Sequence, residues 1–182
     1  MEWRALPLIC ACLAPFARPA IAAAPDPAEA APFRVRLQDP EAAQALRRAL
    51  RGADERLAQP ACREVLSDFV DKTGTSLRAR IDAQGVSERA YLRWIVFAED
   101  RNIGPCRTYG APAATEPGSR VVFICPAAFV RTAGFDPELA EAIVIHEMLH
   151  TLGLGENPPS STEITARVRA RCAPPRSARA KD

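Results

Sequence analysis

The chain has 182 residues, a length typical of one domain with short tails. Hydrophobic residues make up 48% of it and charged residues 25%, as in an ordinary globular protein, which argues against disorder over the whole length. The formal net charge is only +2, so the composition argues against binding nucleic acid through a basic field. No apolar run reaches the roughly 18 residues of a membrane-spanning helix, so none is predicted.

The first thirty or so residues have the pattern of an export signal. A short basic start is followed by an apolar stretch, and Ala20-Ile21-Ala22 is a small-x-small cleavage pattern. We therefore predict a signal peptide at residues 1–22 and a secreted or periplasmic protein. Residues 23–32 are rich in Ala and Pro and are predicted to be a flexible start. The domain itself is predicted at residues 33–172, with a disordered tail at 173–182.

Four cysteines remain after the predicted cleavage, namely Cys62, Cys106, Cys125 and Cys172. An even number of cysteines in an exported domain indicates two disulfides, which can be connected in three ways. Chain order favours Cys106–Cys125, across a turn-rich segment, together with Cys62–Cys172, between an early helix and the last one.

Hydrophobic periodicity and capping residues predict the elements along the domain. The first helix begins at Asp39-Pro40 and is expected to end at Gly52. A later helix has a strong start, formed by Asp136, Pro137 and Glu138. The fold class is therefore α+β, with N-terminal helices, a short and mostly antiparallel sheet, a buried helix and a C-terminal helix. In chain order, we predict a strand at 33–37, helices at 39–52, 60–71 and 75–84, strands at 91–97 and 106–109, a loop at 112–118, a strand at 121–124, and helices at 136–153 and 160–172.

Both histidines of the chain lie in one motif, His146-Glu147-Met148-Leu149-His150, which has the pattern H-E-x-x-H. On a helix, residues four apart share one face, so both imidazoles can bind one ion. Glu147 points about 100° away from His146, where its carboxylate can take a proton from a water on that ion. Apolar neighbours on all sides predict a buried helix, in which these polar groups are costly unless they are paired or bind a metal. The motif therefore predicts a Zn²⁺ site with Glu147 as general base.

The residues after the motif extend it to H-E-x-x-H-x-L-G-L-x-E, which resembles the metzincin metallopeptidases. In that family a glycine turns the chain so that the residue six positions after the second histidine becomes the third ligand. The resemblance places Gly153 at the turn and Glu156 at the third ligand, where metzincins have histidine. The methionine turn of the family has no counterpart, because Met1 and Met148 are the only methionines. The wider resemblance is to the zincin superfamily, and it implies a zincin-like domain.

Glu163 is the alternative third ligand, because the gluzincin branch of the zincins takes a glutamate from the following helix. However, Ser160-Ser161-Thr162-Glu163 is also a capping-box pattern, in which Glu163 would bond the helix start instead. Asn157 either orients Glu156 from outside the ligand set or caps the turn before Pro158.

Other parts of a peptidase are less evident in the sequence. The strand at 121–124 resembles the zincin strand that binds extended substrate along a sheet edge, although it can equally be a core strand. Tyr91, Tyr109 and Arg167 are the candidates for stabilising an oxyanion, and packing in the core is the alternative role of both tyrosines.

The sequence thus supports three hypotheses. The leading one is a secreted or periplasmic zinc metallopeptidase, monomeric, acting on a protein or peptide. The second is a non-catalytic binding module on the zincin fold, although such a module does not need Glu147. The third is a zinc amidase that acts on a different amide, for example in the cell wall.

Overall fold

The computed structural model describes residues 27–101 and 104–173, without the side chains of residues 108 and 109. The predicted signal peptide at 1–22 and nearly all of the predicted tail lie outside these ranges. In the part of the chain that is described, no helix is both long enough and apolar enough to cross a bilayer.

The fold is α+β, as predicted, with a four-stranded sheet of order β1-β2-β4-β3. The predicted antiparallel character is wrong, because β1–β2 and β2–β4 are parallel and only β3–β4 is antiparallel. The chain crosses over through four α-helices and a 3-10 helix between β1 and β2, and such crossovers join parallel strands. The strands are β1 at Arg34–Arg36, β2 at Val96–Glu99, β3 at Ala113–Thr115 and β4 at Val121–Ile124.

The described residues contain seven α-helices in addition to the sheet. The described residues also contain two 3-10 helices, at Pro27–Ala30 and Glu64–Ser67, and a π-helix at Pro105–Tyr109. The α-helices are α1 at Pro40–Leu57, α2 at Pro60–Arg63, α3 at Leu77–Asp82, α4 at Glu88–Trp94, α5 at Pro126–Phe135, α6 at Pro137–Thr151 and α7 at Ser161–Arg171.

The core lies between the sheet and the long helix α1, which packs against α5 and α6. Leu46 and Leu50 of α1, Phe97 of β2, Phe129 of α5 and Ile145 of α6 are fully buried there. The apolar faces read from the sequence therefore meet in one core, and α6 passes through its centre.

Gly52 does not end α1, which continues to Leu57. A Cβ atom at Gly52 would lie 2.2 Å from the side chain of Glu141 on α6. Arg56, one turn further along α1, binds that same Glu141 carboxylate at 2.6 Å. The glycine therefore permits the close approach of α1 and α6, which outweighs its cost of about 1 kcal/mol inside a helix.

The predicted strand at 91–97 is wrong over its first half. Ser87 caps α4 by accepting a hydrogen bond from Ala90 N, and the helix carries Tyr91 into the core before β2 begins at Val96. A short run of aromatic and branched residues predicts burial, but it does not distinguish a buried helix from a buried strand.

Three further predictions differ from the structure between residues 60 and 135. The predicted helix at 60–71 is divided into α2 and a 3-10 helix, and the predicted strand at 106–109 is a π-helix. The predicted loop at 112–118 contains β3, and α5 has no counterpart among the predicted elements. These are short segments whose conformation depends on partners that are distant along the chain.

The described part of the predicted flexible start, residues 27–32, is bound to the domain. Glu29 accepts a hydrogen bond from Ser87 at 2.7 Å and pairs with Arg89, and Ala31 O accepts one from Arg93 at 3.0 Å. Arg89 and Arg93 also bind Asp54 of α1, which places the segment on a charged network between α1 and α4.

The two predicted disulfides are present, with the favoured connectivity. Cys62–Cys172 joins α2 to the end of α7, and Cys106–Cys125 joins the π-helix to the residue that precedes α5.

Candidate metal centre

Helix α6 begins and runs as its sequence predicts. Asp136 is the N-cap, its side chain accepts a hydrogen bond from Leu139 N at 2.9 Å, and Pro137 occupies the first position. The helix is buried from Ala140 onward, so His146 and His150 are each only 4% exposed. They lie one turn apart and face the same cavity.

The ring orientation of each histidine is fixed through its Nδ1 atom. His150 Nδ1 lies 2.8 Å from Leu154 O, and His146 Nδ1 lies 2.9 Å from Thr165 Oγ1 on α7. A carbonyl only accepts hydrogen bonds, so Nδ1 of His150 carries the proton and its Nε2 has a free lone pair. The two Nε2 atoms are 2.9 Å apart. This is the arrangement in which neighbouring groups orient histidine ligands toward a metal.

His146 is suited to be neutral. Burial, and to a lesser extent the charge of His150, lowers the pKa of His146 from its usual value of 6.5 to about 3. A neutral imidazole is the form that binds a metal through nitrogen.

A sharp turn after α6 carries the chain back to the histidines. Gly153 has φ +105°, and its N–H binds His150 O while Leu154 N–H binds Leu149 O. This hydrogen-bond pair is the Schellman motif, which favours glycine at the position that Gly153 occupies. The reversal brings Leu154 O to the ring of His150 and directs the next residues toward the cavity.

Glu156, the third predicted ligand, lies beside the histidines. Its Oε1 is 3.4 Å from His150 Nε2 and 3.7 Å from His146 Nε2. Ligands held about 2.0–2.1 Å from a tetrahedral Zn²⁺ are separated by about 3.3–3.4 Å, close to these values. The three side chains form a group that could hold a metal ion, and their donor atoms suit Zn²⁺.

Glu163, the alternative ligand, is engaged elsewhere. Its carboxylate accepts hydrogen bonds from Ser160 N at 2.8 Å and from Ser160 Oγ at 2.7 Å. It forms the capping box of α7, and these bonds lower the pKa of its carboxyl. The metal-binding group found among the described residues contains Glu156 and not Glu163.

Asn157 lies in the turn that follows Glu156. It has φ +60°, a left-handed conformation that asparagine tolerates, and its N–H donates to Pro159 O at 2.8 Å. Its side chain is exposed. Of the two roles predicted for Asn157, the structure therefore supports the one in the turn.

Glu147 lies in the same cavity, 6% exposed. Burial raises the pKa of its carboxyl above the usual range. In the described residues, Glu147 Oε2 and Thr115 Oγ1 are the buried side-chain oxygen atoms without a hydrogen bond of good geometry. The two side chains are neighbours, and Thr115 lowers the pKa of Glu147 against the larger, opposite effect of burial.

The cavity has a volume of about 420 Å³ and two different walls. Helices α6 and α7 and their connection form one wall, with the histidines, Glu147, Glu156 and Ser161. Residues 105–117 form the other, with Pro105, Ala111, Ala113, Ala114, Thr115 and Pro117.

The predicted substrate strand is not at an edge. β4 lies between β2 and β3, so its backbone is paired on both sides. The edge strand beside the cavity is β3, which was predicted as part of a loop.

Tyr91 and Arg167, the two oxyanion candidates whose side chains the structure describes, do not line the cavity of the histidines. Tyr91 is buried and donates its hydroxyl to Thr151 O at 3.2 Å, and Arg167 lies beside Asp68 at 3.9 Å. The side chain of Tyr109 is outside the described residues. Tyr91 instead helps to satisfy the last carbonyls of α6, as Gly118 N does for His150 O at 2.8 Å.

Three residues of the site have no signal in the sequence analysis. Thr165 and Leu154 contact the histidine rings, and Thr115 lines the cavity near Glu147. Thr165 meets His146 only because α7 packs against α6, and Leu154 contributes a backbone atom. No sequence signal identifies either contact.

Comparisons of the chain with family models, with curated proteins and with solved structures find no match.

Proposed function

We propose that this protein is an exported zinc-dependent metallopeptidase. The observation that carries the proposal is the convergence of His146, His150 and Glu156 on one point of a cavity that also holds the buried Glu147. A structural metal site would need the three ligands but not the carboxylate beside them. The two disulfides are compatible with an exported protein.

The ligand set would be His146 Nε2, His150 Nε2 and a carboxylate oxygen of Glu156. When bound, Zn²⁺ would supply Lewis-acid polarisation of the scissile carbonyl and lower the pKa of a water molecule to about 7. Thr165 and Leu154 O keep the two imidazole rings in place, so little reorganisation is needed on binding.

Glu147 is the general base in this proposal. It accepts a proton from the attacking water and then gives that proton to the departing amine, as one group can in successive steps. Burial raises the pKa of its carboxyl, which makes it a stronger base than an exposed glutamate.

β3 is the proposed binding site for the backbone of the substrate. It is the edge of the sheet at the cavity, and an extended peptide can pair with such an edge. Its small side chains, Ala113 and Ala114, leave room for a peptide between β3 and Glu147. The binding of extended substrate, which the sequence predicted for the strand at 121–124, is therefore proposed for β3 at residues 113–115.

The test compares wild type with Glu147→Gln, in the chain lacking residues 1–22. We expect about one zinc per chain in both proteins by mass spectrometry. Hydrolysis of labelled casein should fall by about 10²–10⁴-fold in Glu147→Gln, because the base is lost while the ligands remain. Glu138→Gln is the matched control, since Glu138 lies on the same helix, exposed and away from the cavity.

Each hypothesis has its own outcome. Wild type that takes up no zinc contradicts the metal site. Zinc binding with no hydrolysis of casein favours the binding module, or an amidase if a cell-wall preparation is hydrolysed instead. Equal hydrolysis by wild type and Glu147→Gln contradicts the role of Glu147.

A further inference from the structure

A second cavity, of about 370 Å³, lies next to the metal cavity, and three of the four charged side chains that line it are cationic. Its cations are Lys72, Arg80 and Arg120, and Asp71 is its only carboxylate among the described residues that line it. Nothing in the proposed reaction uses these groups.

The two cavities share a wall. Pro117 lines both of them, and Gly118, which lines the second, donates its N–H to His150 O. The aliphatic part of Lys72 lies against Gly155, within 3.7–3.9 Å of where a Cβ atom would be. Gly155 directly precedes Glu156, the candidate metal ligand, so Lys72 lies close to the first cavity. Since Pro117 lines both cavities, a bound peptide that leaves the metal cavity past Pro117 enters the second cavity.

The single carboxylate of the second cavity is already saturated. Asp71 Oδ1 accepts hydrogen bonds from Thr73 N at 2.8 Å, Thr73 Oγ1 at 2.7 Å and Thr75 N at 3.0 Å, and its other oxygen pairs with Arg80. These bonds hold the pKa of Asp71 well below its usual range. Within the described ranges, neither Lys72 nor Arg120 has a carboxylate partner, so two positive charges remain uncompensated.

Arg120 is held in position by uncharged neighbours. Its guanidinium lies 5.0 Å from the ring centre of Trp94 and 5.7 Å from that of Tyr91, and Nη2 donates to Gln84 Oε1 at 2.7 Å. A guanidinium has five N–H donors, so most of them are left for a ligand. Stacking on aromatic rings restricts its motion without neutralising its charge.

We propose that the cavity of Lys72, Arg80 and Arg120 binds an acidic side chain, Asp or Glu, of the peptide substrate. This rests on the proposed function. Two residues of an extended chain span about 6.6 Å, so a peptide along β3 passes from Thr115 to Pro117 in about two residues. Pro117 has no N–H with which to continue the pairing. The acidic residue therefore lies about two or three residues from the scissile bond.

The experiment uses two sets of degenerate octapeptide pools that differ only in a fixed Glu or a fixed Gln, placed at each position in turn. Wild type, the double variant Lys72→Gln/Arg120→Gln and the control Arg48→Gln are compared. Arg48 is an exposed residue of α1 that lines neither cavity, so its loss changes net charge alone. Cleavage is measured on these three proteins, and binding by anisotropy on the same proteins carrying Glu147→Gln.

We expect wild type to cleave and bind the Glu pool about two- to fivefold better than the Gln pool at one position, a size typical of exposed ion pairs. The preference should fall to about one in the double variant and persist in Arg48→Gln. It should also weaken as salt is added.

A Glu preference that is absent in wild type, or unchanged in the double variant, overturns the proposal even if peptides are cleaved. Preferential binding of the Glu pool with no cleavage of any pool supports the cavity and contradicts the peptidase. Circular dichroism of the double variant verifies that it is folded.

Discussion

The two walls of the metal cavity differ in what they are made of and in what holds them. The wall of α6, α7 and their connection carries most of the polar side chains, and hydrogen bonds fix the two histidine rings. The wall of residues 105–117 is mainly apolar, with small residues and prolines. Each wall has one disulfide, Cys62–Cys172 at the end of α7 and Cys106–Cys125 at the π-helix.

This difference indicates a division of tasks. The polar wall requires fixed atoms, because a metal site tolerates only small errors in the positions of its ligands. The apolar wall offers a strand edge and space, which suits a substrate that varies in sequence. Under the proposed function, changes in the three ligands and in the groups that hold them should act on metal affinity, whereas changes in Glu147 or in the apolar wall should act on turnover.

The largest effect is expected at the third ligand. Glu156→Ala should weaken zinc binding by more than the roughly 10–100-fold caused by losing a neighbour of a ligand, because it removes a ligand itself. Glu163→Ala should keep the zinc and lose only capping energy, about 1 kcal/mol. Zinc affinity by competition with a chelator measures both. Loss of zinc in Glu163→Ala alone would reverse the assignment.

The two disulfides allow the two walls to be tested separately, because each wall contains one of them. Replacing Cys106 and Cys125 by alanine should cost about 3 kcal/mol of unfolding free energy and lower peptide turnover, with little change in zinc affinity. Replacing Cys62 and Cys172 should loosen α7, which carries Thr165, and therefore lower zinc affinity. Urea denaturation and zinc titration of both variants test this. The same response of zinc affinity to both changes would contradict the division.

Thr165 tests whether hydrogen bonds fix the polar wall. Thr165→Val keeps the shape of the side chain but removes the hydroxyl that holds His146 Nδ1. We expect zinc affinity to fall by about 10–100-fold with the fold intact. Thr162→Val on the exposed face of α7 is the control. An unchanged affinity would show that packing alone orients His146.

The smallest effect is expected at the turn after α6. Gly153→Ala places a side chain at φ +105° and 3.3 Å from Asp71 Cβ, and should cost at least about 1–2 kcal/mol of unfolding free energy. Gly134→Ala in α5 is the control, because nothing lies within 4 Å of its Cβ position and alanine favours a helix. Urea denaturation compares the two, and equal stability would contradict a strained turn.

The site was more predictable than the sheet because its signals are local. The spacing of His146 and His150, the cap at Asp136 and the turn at Gly153 all act within one helix and its end. β3 has three residues and is a strand only because β4 lies beside it, so its own residues gave no signal.

The sequence alone determined the α+β class, helix α6 and the grouping of His146, Glu147 and His150, because these depend on periodicity, capping and chemistry within short segments. For the cysteines it indicated two disulfides and favoured their connectivity by chain order only. Only the tertiary structure brought Glu156 beside the histidines, paired Thr165 with His146, placed β3 at the edge of the sheet and put Lys72 and Arg120 in the lining of one cavity. Most of those contacts join residues that are distant along the chain, so they depend on the packing of the whole domain and leave no signal in a short segment.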